Sequence, residues 1–234
     1  MRSSRERNPF RGVKSPSNEP ITPTPALTLL QFEHLLTMIR ADFGHADGDR
    51  CARRDFAMVY LMGRLGLRRE ETRKLHWGDL RGTGDAVTLT VHGKGDKYAD
   101  VHVPHDVDEV LRSWSEVLAI AVGQVPGPDA PIFPALGAAH RYVKERMWPL
   151  SVFSVGAIVR RRMIDAGFDG PRYGAHALRA TAATVAHENG ADLLAISRLL
   201  RHANPKTTER YIKTSENRRT SAAESWRGPV FAVV

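Results

Sequence analysis

Apolar residues recur at helical intervals over most of the chain. The first run starts after Thr28, where Thr28 and Gln31 have the spacing of a capping box. It predicts an amphipathic helix whose apolar positions are Leu29, Leu30, Phe32, Leu35, Leu36 and Ile39. A second helix is predicted to end at Gly66. Further helices are predicted at 69–77, around 110–118, at 154–166, 176–188 and 192–201, and from Asn204, with Pro205 in the first turn.

Between these helices the pattern changes to a two-residue alternation. Apolar and polar residues alternate over 87–91 and again over 101–103, and the turn-forming segment 93-GKGDK-97 separates the two stretches. This pattern predicts a β-hairpin with Lys94 at its tip. The predicted fold class is therefore mainly α with a small antiparallel β-hairpin or sheet insert.

The first 25 residues differ from the rest of the chain because they combine basic residues and prolines without an apolar period. They are predicted to form a flexible basic arm, 1–25, ahead of one domain, 26–213, and a C-terminal tail, 214–234. The full chain of 234 residues carries a formal net charge of +8 and has a pI near 10.0. Such an excess of positive charge indicates a polyanionic partner such as nucleic acid, although a solubilising surface charge gives the same composition.

Cysteine usage and hydropathy narrow the class of protein. Cys51 is the only cysteine, which excludes an intramolecular disulfide and a cysteine-based zinc site. The basic N-terminus is not followed by an apolar run, so no secretory signal is expected. No apolar stretch reaches the ~18 residues that a membrane-spanning helix needs. We therefore expect a cytoplasmic protein with no membrane partner.

Two cationic residues lie where the chain is predicted to turn. Arg68 follows the helix that ends at Gly66, and an arginine fork there matches the oxygens of a phosphate. Lys94 lies between two glycines, so its ammonium can approach a ligand closely. The pattern GxxxxGK[ST] is absent around Lys94, which argues against a nucleotide P-loop. Taken singly, each residue is more typical of a solvated surface cation.

Two later segments carry histidines beside other polar groups. His176 and Arg179 are three residues apart and are predicted to lie side by side on one helical face. An arginine can neutralise phosphate charge there while an imidazole transfers a proton. His202 is predicted to lie near a helix end, and Tyr211 on the next helix. A phenol, with a pKa of about 10, is a poor nucleophile unless neighbouring cations stabilise its phenolate.

Together these segments resemble the tyrosine recombinase (phage integrase) family, over residues 28–213. GLRREETRKLHWGDL is similar to the first arginine box of that family, with Glu71 at its acidic position, and VHGKGDKYADVHVP is similar to its lysine hairpin. HALRATAAT resembles its HxLR box. LLRHANPKTTERY resembles its final box, in which the histidine and the tyrosine are nine residues apart.

The resemblance implies a site-specific DNA recombinase with the catalytic-domain fold of the family. Tyr211 would be the nucleophile that forms a 3′-phosphotyrosyl intermediate, and neither metal, ATP nor another cofactor would be required. Arg68 and Arg179 would hold the phosphate, and Lys94 would protonate the leaving oxygen. His176 would act as acid or base, and His202 would hydrogen-bond the phosphate. The implied partners are double-stranded DNA and further copies of the chain, as a tetramer on two sites.

The sequence departs from the family pattern at three places. The final box usually reads LGH, and Arg201 stands at the glycine position; Ala99 and Asp100 stand where the hairpin usually carries an arginine. Members usually carry an N-terminal core-binding domain, and about 50 residues precede the second predicted helix, fewer than that domain needs. We expect the basic arm or an accessory DNA-binding protein to replace it, unless the chain is truncated.

Two other functions remain open at this level. Residues 190–213 also read as helix, turn and helix, the outline of a non-enzymatic helix-turn-helix regulator. That alternative leaves the Arg68 box and the lysine hairpin unexplained. A type IB topoisomerase would use an overlapping set of residues to nick and rejoin one duplex. The tail, which ends in PVFAVV, could equally dock on a neighbouring protomer or fold back on its own domain.

Overall fold

A computed structural model describes residues 24–45, 49–93, 95, 97–136, 147–202 and 208. Its helices are α1 Leu29–Ala41, α2 Asp49–Leu65, α3 Arg69–Arg73, α4 His105–Val122, α5 Val152–Asp165, α6 Ala175–Glu188 and α7 Leu193–Leu200. Its strands are β1 Leu80–Arg81, β2 Thr88–His92 and β3 Tyr98–His102. The prediction of a mainly helical fold with a small antiparallel insert is confirmed. No helix among these residues has the length and apolar character needed to span a membrane.

Helix α2 is the centre of the helical layer. It packs against α1, α4 and α6, and also contacts α5. Most of its residues are buried, because neighbours cover it on several sides. Its C-terminal end therefore lies inside the fold, where the turn that follows it can carry a functional group.

The sheet is a three-stranded antiparallel meander in the order β1, β2, β3. In its hairpin, Leu89 pairs with Val101, and the side chains of Leu89 and Val91 are fully buried. The turn closes where the Gly93 amide donates to the Lys97 carbonyl at 2.7 Å. The hairpin was predicted from the alternation, whereas β1, which has only two residues, was not.

Several predicted helix boundaries agree with the structure because local caps define them. Thr28 caps α1 and forms the predicted capping box with Gln31. Helix α2 ends before Gly66, which has a φ of 60°. Helix α4 is longer than predicted, because Pro104 precedes it and Gly123, with a φ of 77°, ends it.

Two expectations need correction. The third helix was predicted over 69–77, but α3 ends at Arg73 and a short 3-10 helix follows at Trp77–Asp79. The backbone of Leu75, Trp77 and Gly78 bonds instead to the loop at 128–132, which pulls the chain out of the helix. Leu29 and Leu30 do not join the apolar stripe of α1; they are exposed, because the first turn extends past the edge of the core.

Three expectations lie outside the described residues. These are most of the basic arm, the helix that was predicted to open at Asn204, and the C-terminal tail.

Candidate active site

The turn between α2 and α3 presents Arg68. Gly66 adopts a left-handed φ of 60°, Leu67 is buried, and Arg68 is the N-cap residue of α3 with an extended backbone. The Arg68 carbonyl accepts hydrogen bonds from the amide and the hydroxyl of Thr72, both at 2.9 Å. The side chain of Arg68 is 41% exposed, so its guanidinium can reach a ligand.

Glu71 anchors this arginine from inside the protein. Its carboxylate accepts from the Arg68 backbone amide at 2.8 Å and from the Arg68 guanidinium at 2.6 Å. Burial alone would raise the pKa of Glu71. The positive charge of Arg201 and the hydrogen bonds from Arg68 and Arg201 outweigh burial, so the pKa lies below its usual value. The group is therefore a carboxylate at neutral pH.

Helix α6 contributes the His176 and Arg179 pair. His176 lies in the first turn and is exposed, whereas Arg179, one turn later, is only 4% exposed. The two terminal nitrogens of Arg179 donate to the carbonyls of Gly66 and Leu200, which lie at the C-terminal ends of α2 and α7. A cation is favourable between two helix C-termini because both ends carry partial negative charge. Arg179 therefore joins α2, α6 and α7 at one point.

The end of α7 places His202 beside this point. Arg201, the C-cap residue of α7, has a left-handed φ of 54°, and His202 follows it directly. The His202 amide donates to the Ser197 carbonyl at 3.1 Å, which fixes the chain after the helix. The Nδ1 atom of His202 lies 2.8 Å from the hydroxyl oxygen of Thr208, a buried side chain. That contact sets the orientation of the imidazole ring.

The arginines lower the pKa of both histidines. Burial and the charges of Arg179, Arg68 and Arg201 lower the pKa of His202 to about 4, while Glu71 opposes them. Partial burial of the ring and the charges of Arg69, Arg179 and Arg68 lower the pKa of His176 as well. Both rings are neutral at pH 7, so each can accept a proton or a hydrogen bond. An anion bound among the arginines would offset their charge and raise both values.

The structure thus brings four of the predicted site residues together: Arg68, His176, Arg179 and His202. Lys94 and Tyr211 lie outside the described residues, so their placement stays a prediction. The described part of the site is cationic, since its arginines outnumber the single carboxylate of Glu71. It is suited to holding a phosphate group next to two neutral imidazoles.

Sequence reasoning missed two contributors to this site. Arg201 was noted only as a departure from a motif, and its contact with Glu71 was not anticipated. Thr208 carried no signal, because a threonine hydroxyl six residues after a histidine is not a recognisable pattern. One signal in the sequence did point to Arg201. An arginine at a helix C-terminus, where the left-handed backbone favours glycine, needs a partner for its side chain.

Gly66 is the residue on which the turn depends. A Cβ at this position would lie 2.5 Å from Cδ2 of Leu200, and the φ of 60° disfavours any side chain. We expect Gly66→Ala to lower the free energy of unfolding by about 2–3 kcal/mol, through left-handed strain plus overpacking. Urea denaturation measures this loss.

Gly84→Ala is the matched control for this substitution. Gly84 has the same φ of 60°, but a Cβ there would meet nothing within 4 Å. Its substitution should therefore lower the free energy of unfolding by about 1 kcal/mol, from strain alone. Equal losses in the two variants would show that Leu200 does not constrain the turn.

Comparison with known proteins links this chain to one family. The sequence profile of the Phage integrase family matches residues 27–218. A tyrosine recombinase XerC from Caldanaerobacter subterraneus subsp. tengcongensis is 26% identical over 212 residues, which cover 90% of this chain and 53% of that protein. A tyrosine recombinase XerC from Mycobacterium sp. (strain KMS) is 33% identical over 174 residues, which cover 73% of this chain and 53% of that protein. The chain spans about half the length of these curated relatives.

A solved structure shows the same fold. It is the XerH site-specific recombinase bound to palindromic difH substrate, described as a post-cleavage complex. It matches with a TM-score of 0.69 at 22% identity, over 88% of this chain and 54% of that chain. The helical arrangement described above is therefore shared with that protein.

Proposed function

The chain belongs to the phage integrase family, and from this premise we propose that it breaks and rejoins double-stranded DNA at specific sites, as a tyrosine recombinase. The observation that carries the proposal is the convergence of Arg68, Arg179, His176 and His202 at one cationic point, reached from three separate parts of the chain. Arginines that only improve solubility are exposed to solvent, whereas Arg179 is buried between two helix ends.

The proposed reaction conserves the energy of the phosphodiester. The phenolic oxygen of Tyr211 attacks phosphorus, a new P–O bond forms to the tyrosine, and the bond to the 5′ oxygen breaks. The phenol loses its proton and the departing 5′ oxygen gains one. In the second step a 5′-hydroxyl of another strand attacks the 3′-phosphotyrosyl link; the hydroxyl loses its proton, the bond to the phenolic oxygen breaks, and the released tyrosine gains a proton. Because the bonds exchanged are similar, no ATP is consumed.

Each described residue has a role in this scheme. Arg68 and Arg179 would bind the non-bridging oxygens and stabilise the charge that develops in the transition state. His176, neutral and exposed at the start of α6, would exchange a proton with the phenol. His202, whose ring is oriented by Thr208, would hydrogen-bond the phosphate. Lys94, at the predicted hairpin tip, would protonate the leaving oxygen.

The partners follow from this chemistry. Strand exchange requires two duplexes, so we propose double-stranded DNA and a homotetramer assembled on two sites. The net charge of +8 supports binding to the phosphate backbone. We propose residues 26–213 as the catalytic domain and 1–25 as an arm on DNA. DNA as the substrate also implies a cytoplasmic location.

We propose that the tail, 214–234, docks on a neighbouring protomer. The support is an open groove of about 640 Å³ lined by residues of α1, α2, β3, α6 and α7, whose apolar lining includes Phe32, Ala182 and Val185. The tail ends in PVFAVV, which has matching apolar character.

The test is to trap the covalent intermediate. A library of duplexes of randomised sequence is incubated with the full chain, and the bound DNA is recovered and sequenced. The selected duplex is then nicked next to the cleavage point, so that a short fragment diffuses away and rejoining is blocked. We expect an adduct that resists SDS, and a tryptic phosphotyrosyl peptide that contains Tyr211.

Two variants complete the test. Tyr211→Phe should form no adduct. Tyr60→Phe should form it at the wild-type rate, because the Tyr60 hydroxyl donates to Asp106 of α4 and is not part of the candidate site. No adduct from the wild type on a duplex that it binds would contradict the proposal. Exchange of strands between two labelled duplexes separates recombination from relaxation of a single duplex.

A further inference from the structure

Arg201 stands at a position where the backbone favours glycine. It is the C-cap residue of α7, and among the described residues it is the only non-glycine residue with a positive φ, 54°. Left-handed backbone is unfavourable for a residue with a Cβ. Something other than backbone preference must therefore hold an arginine here.

The side chain of Arg201 is largely buried and contacts the ends of two helices. It is 10% exposed. Its Nη1 atom donates to the carbonyl of Leu199 at 2.6 Å and to that of Leu65 at 3.3 Å. Its Nη2 atom donates to the carbonyl of Gly66 at 3.2 Å. The guanidinium thus bridges the C-terminal ends of α7 and α2.

The fourth contact of Arg201 leads to the phosphate-binding arginine. Its Nη2 atom lies 2.9 Å from Oε2 of Glu71, the same oxygen that accepts from the Arg68 backbone amide. The other oxygen, Oε1, accepts from the Arg68 guanidinium. The carboxylate of Glu71 is therefore held from one side by Arg201 while it holds Arg68 from the other.

We infer that Arg201 is a positioning residue for the reaction proposed above: it fixes Glu71, which orients Arg68, and its backbone presents His202 to the same phosphate. The inference rests on the proposed function. A purely structural cap would need only the carbonyls of Leu65, Gly66 and Leu199. The contact with Glu71 goes further, because it fixes the carboxylate that directs an exposed guanidinium toward a ligand.

The experiment compares Arg201→Gly with Arg201→Lys in the full chain, on the duplex selected above. Glycine suits the left-handed backbone, so Arg201→Gly should stay folded. We expect the single-turnover rate of adduct formation to fall about 100-fold, because Arg68 and the phosphate are no longer aligned. Affinity for DNA should change by less than about threefold, since one buried charge contributes little to backbone binding. Arg201→Lys should recover part of the rate, because it restores the charge without the planar fork.

A double-mutant cycle separates positioning from stability. If Arg201 acts through Glu71, then Arg201→Gly should slow the reaction far less in a Glu71→Gln background than in the wild type. Arg112→Ala is the charge control, because Arg112 is an exposed arginine of α4 that pairs with Asp108, and its adduct rate should match the wild type. Rates are compared per folded molecule, with the folded fraction taken from urea denaturation.

The outcomes are distinct. A wild-type rate in folded Arg201→Gly, or additive effects in the cycle, would overturn the role of Arg201 and leave the proposed function standing. Absence of an adduct in the wild type would overturn the proposed function and the inference with it. A slower rate that is coupled to Glu71, at nearly unchanged affinity, would establish the positioning role.

Discussion

Replacing Arg179 by lysine is expected to slow adduct formation about 1,000-fold, the loss typical of removing a fixed donor from the charge that develops in a transition state. The positive charge remains in this variant, so the loss must come from geometry. Arg179 uses two terminal nitrogens on the carbonyls of Gly66 and Leu200. An ammonium group has no rigid fork and cannot span both carbonyls while it faces a phosphate.

The measurement is single-turnover adduct formation on the nicked duplex, scaled by the folded fraction. Arg179→Lys is also expected to lose stability, because it leaves the ends of α2 and α7 less well capped. Arg54→Lys is the matched control for that effect. Arg54 is a buried arginine that binds Asp55 and the carbonyl of Pro134, in the first half of α2 and away from the site. Its lysine variant should lose stability and keep its rate.

Two results would contradict the role of Arg179. One is an adduct rate in Arg179→Lys equal to that of Arg54→Lys at the same folded fraction. The other is a loss of rate that is fully reversed when stability is restored by lower temperature. Either result would mean that Arg179 only joins helices and does not bind phosphate.

Elements with strong local signals were predicted well. Thr28 with Gln31 defines the start of α1, and Gly66 defines the end of α2, because caps and left-handed glycines act within a few residues. The hairpin followed from alternation over 87–91 and 101–103, since side chains on a strand point to opposite faces in turn.

Elements that depend on distant partners were not predicted. The end of α3 is set by hydrogen bonds from Leu75 and Trp77 to the loop at 128–132, and nothing near α3 in sequence indicates them. Strand β1 has two residues and exists only because Leu80 pairs with Leu89. Leu29 and Leu30 fit the helical period, but the period does not show where the core ends.

The order of motifs along the chain indicates Arg68, Arg179 and His202 as candidate site residues, but it does not indicate their environment. The low pKa of His202, about 4, comes from burial and from arginines that only the folded chain brings near. The link from Arg201 to Glu71 likewise joins residues that are far apart in sequence.

A second large effect is expected at a buried ionic cluster that supports the helical layer from the opposite end of α2. Asp55 is fully buried and accepts from Arg54 at 2.7 Å and from Arg162 of α5 at 3.0 Å. Arg162 also donates to Asp42, which follows α1. The Asp55 carboxylate thus connects α2 to α5, and Arg162 connects α5 to the end of α1.

Asp55→Asn is expected to lower the free energy of unfolding by about 3–5 kcal/mol, because it leaves two buried arginines without their shared countercharge. That is a large fraction of the roughly 5–15 kcal/mol by which a domain is stable. Urea denaturation with linear extrapolation measures the loss, and an unchanged slope shows that the folded state stays compact.

Glu70→Gln is the control for Asp55→Asn, because it also removes one carboxylate from an arginine pair, but at the surface. The side chains of Glu70 and Arg73 are 54% and 35% exposed, so its loss should be at most about 1 kcal/mol. Equal losses in the two variants would show that burial does not increase the contribution of the Asp55 cluster to the free energy of unfolding.

Because this cluster lies away from Gly66 and the candidate site, the Asp55→Asn protein that remains folded should form its DNA adduct at the wild-type rate. A slower rate per folded molecule would instead mean that the contacts of Asp55, near the start of α2, affect the position of the turn at Gly66 that follows the helix.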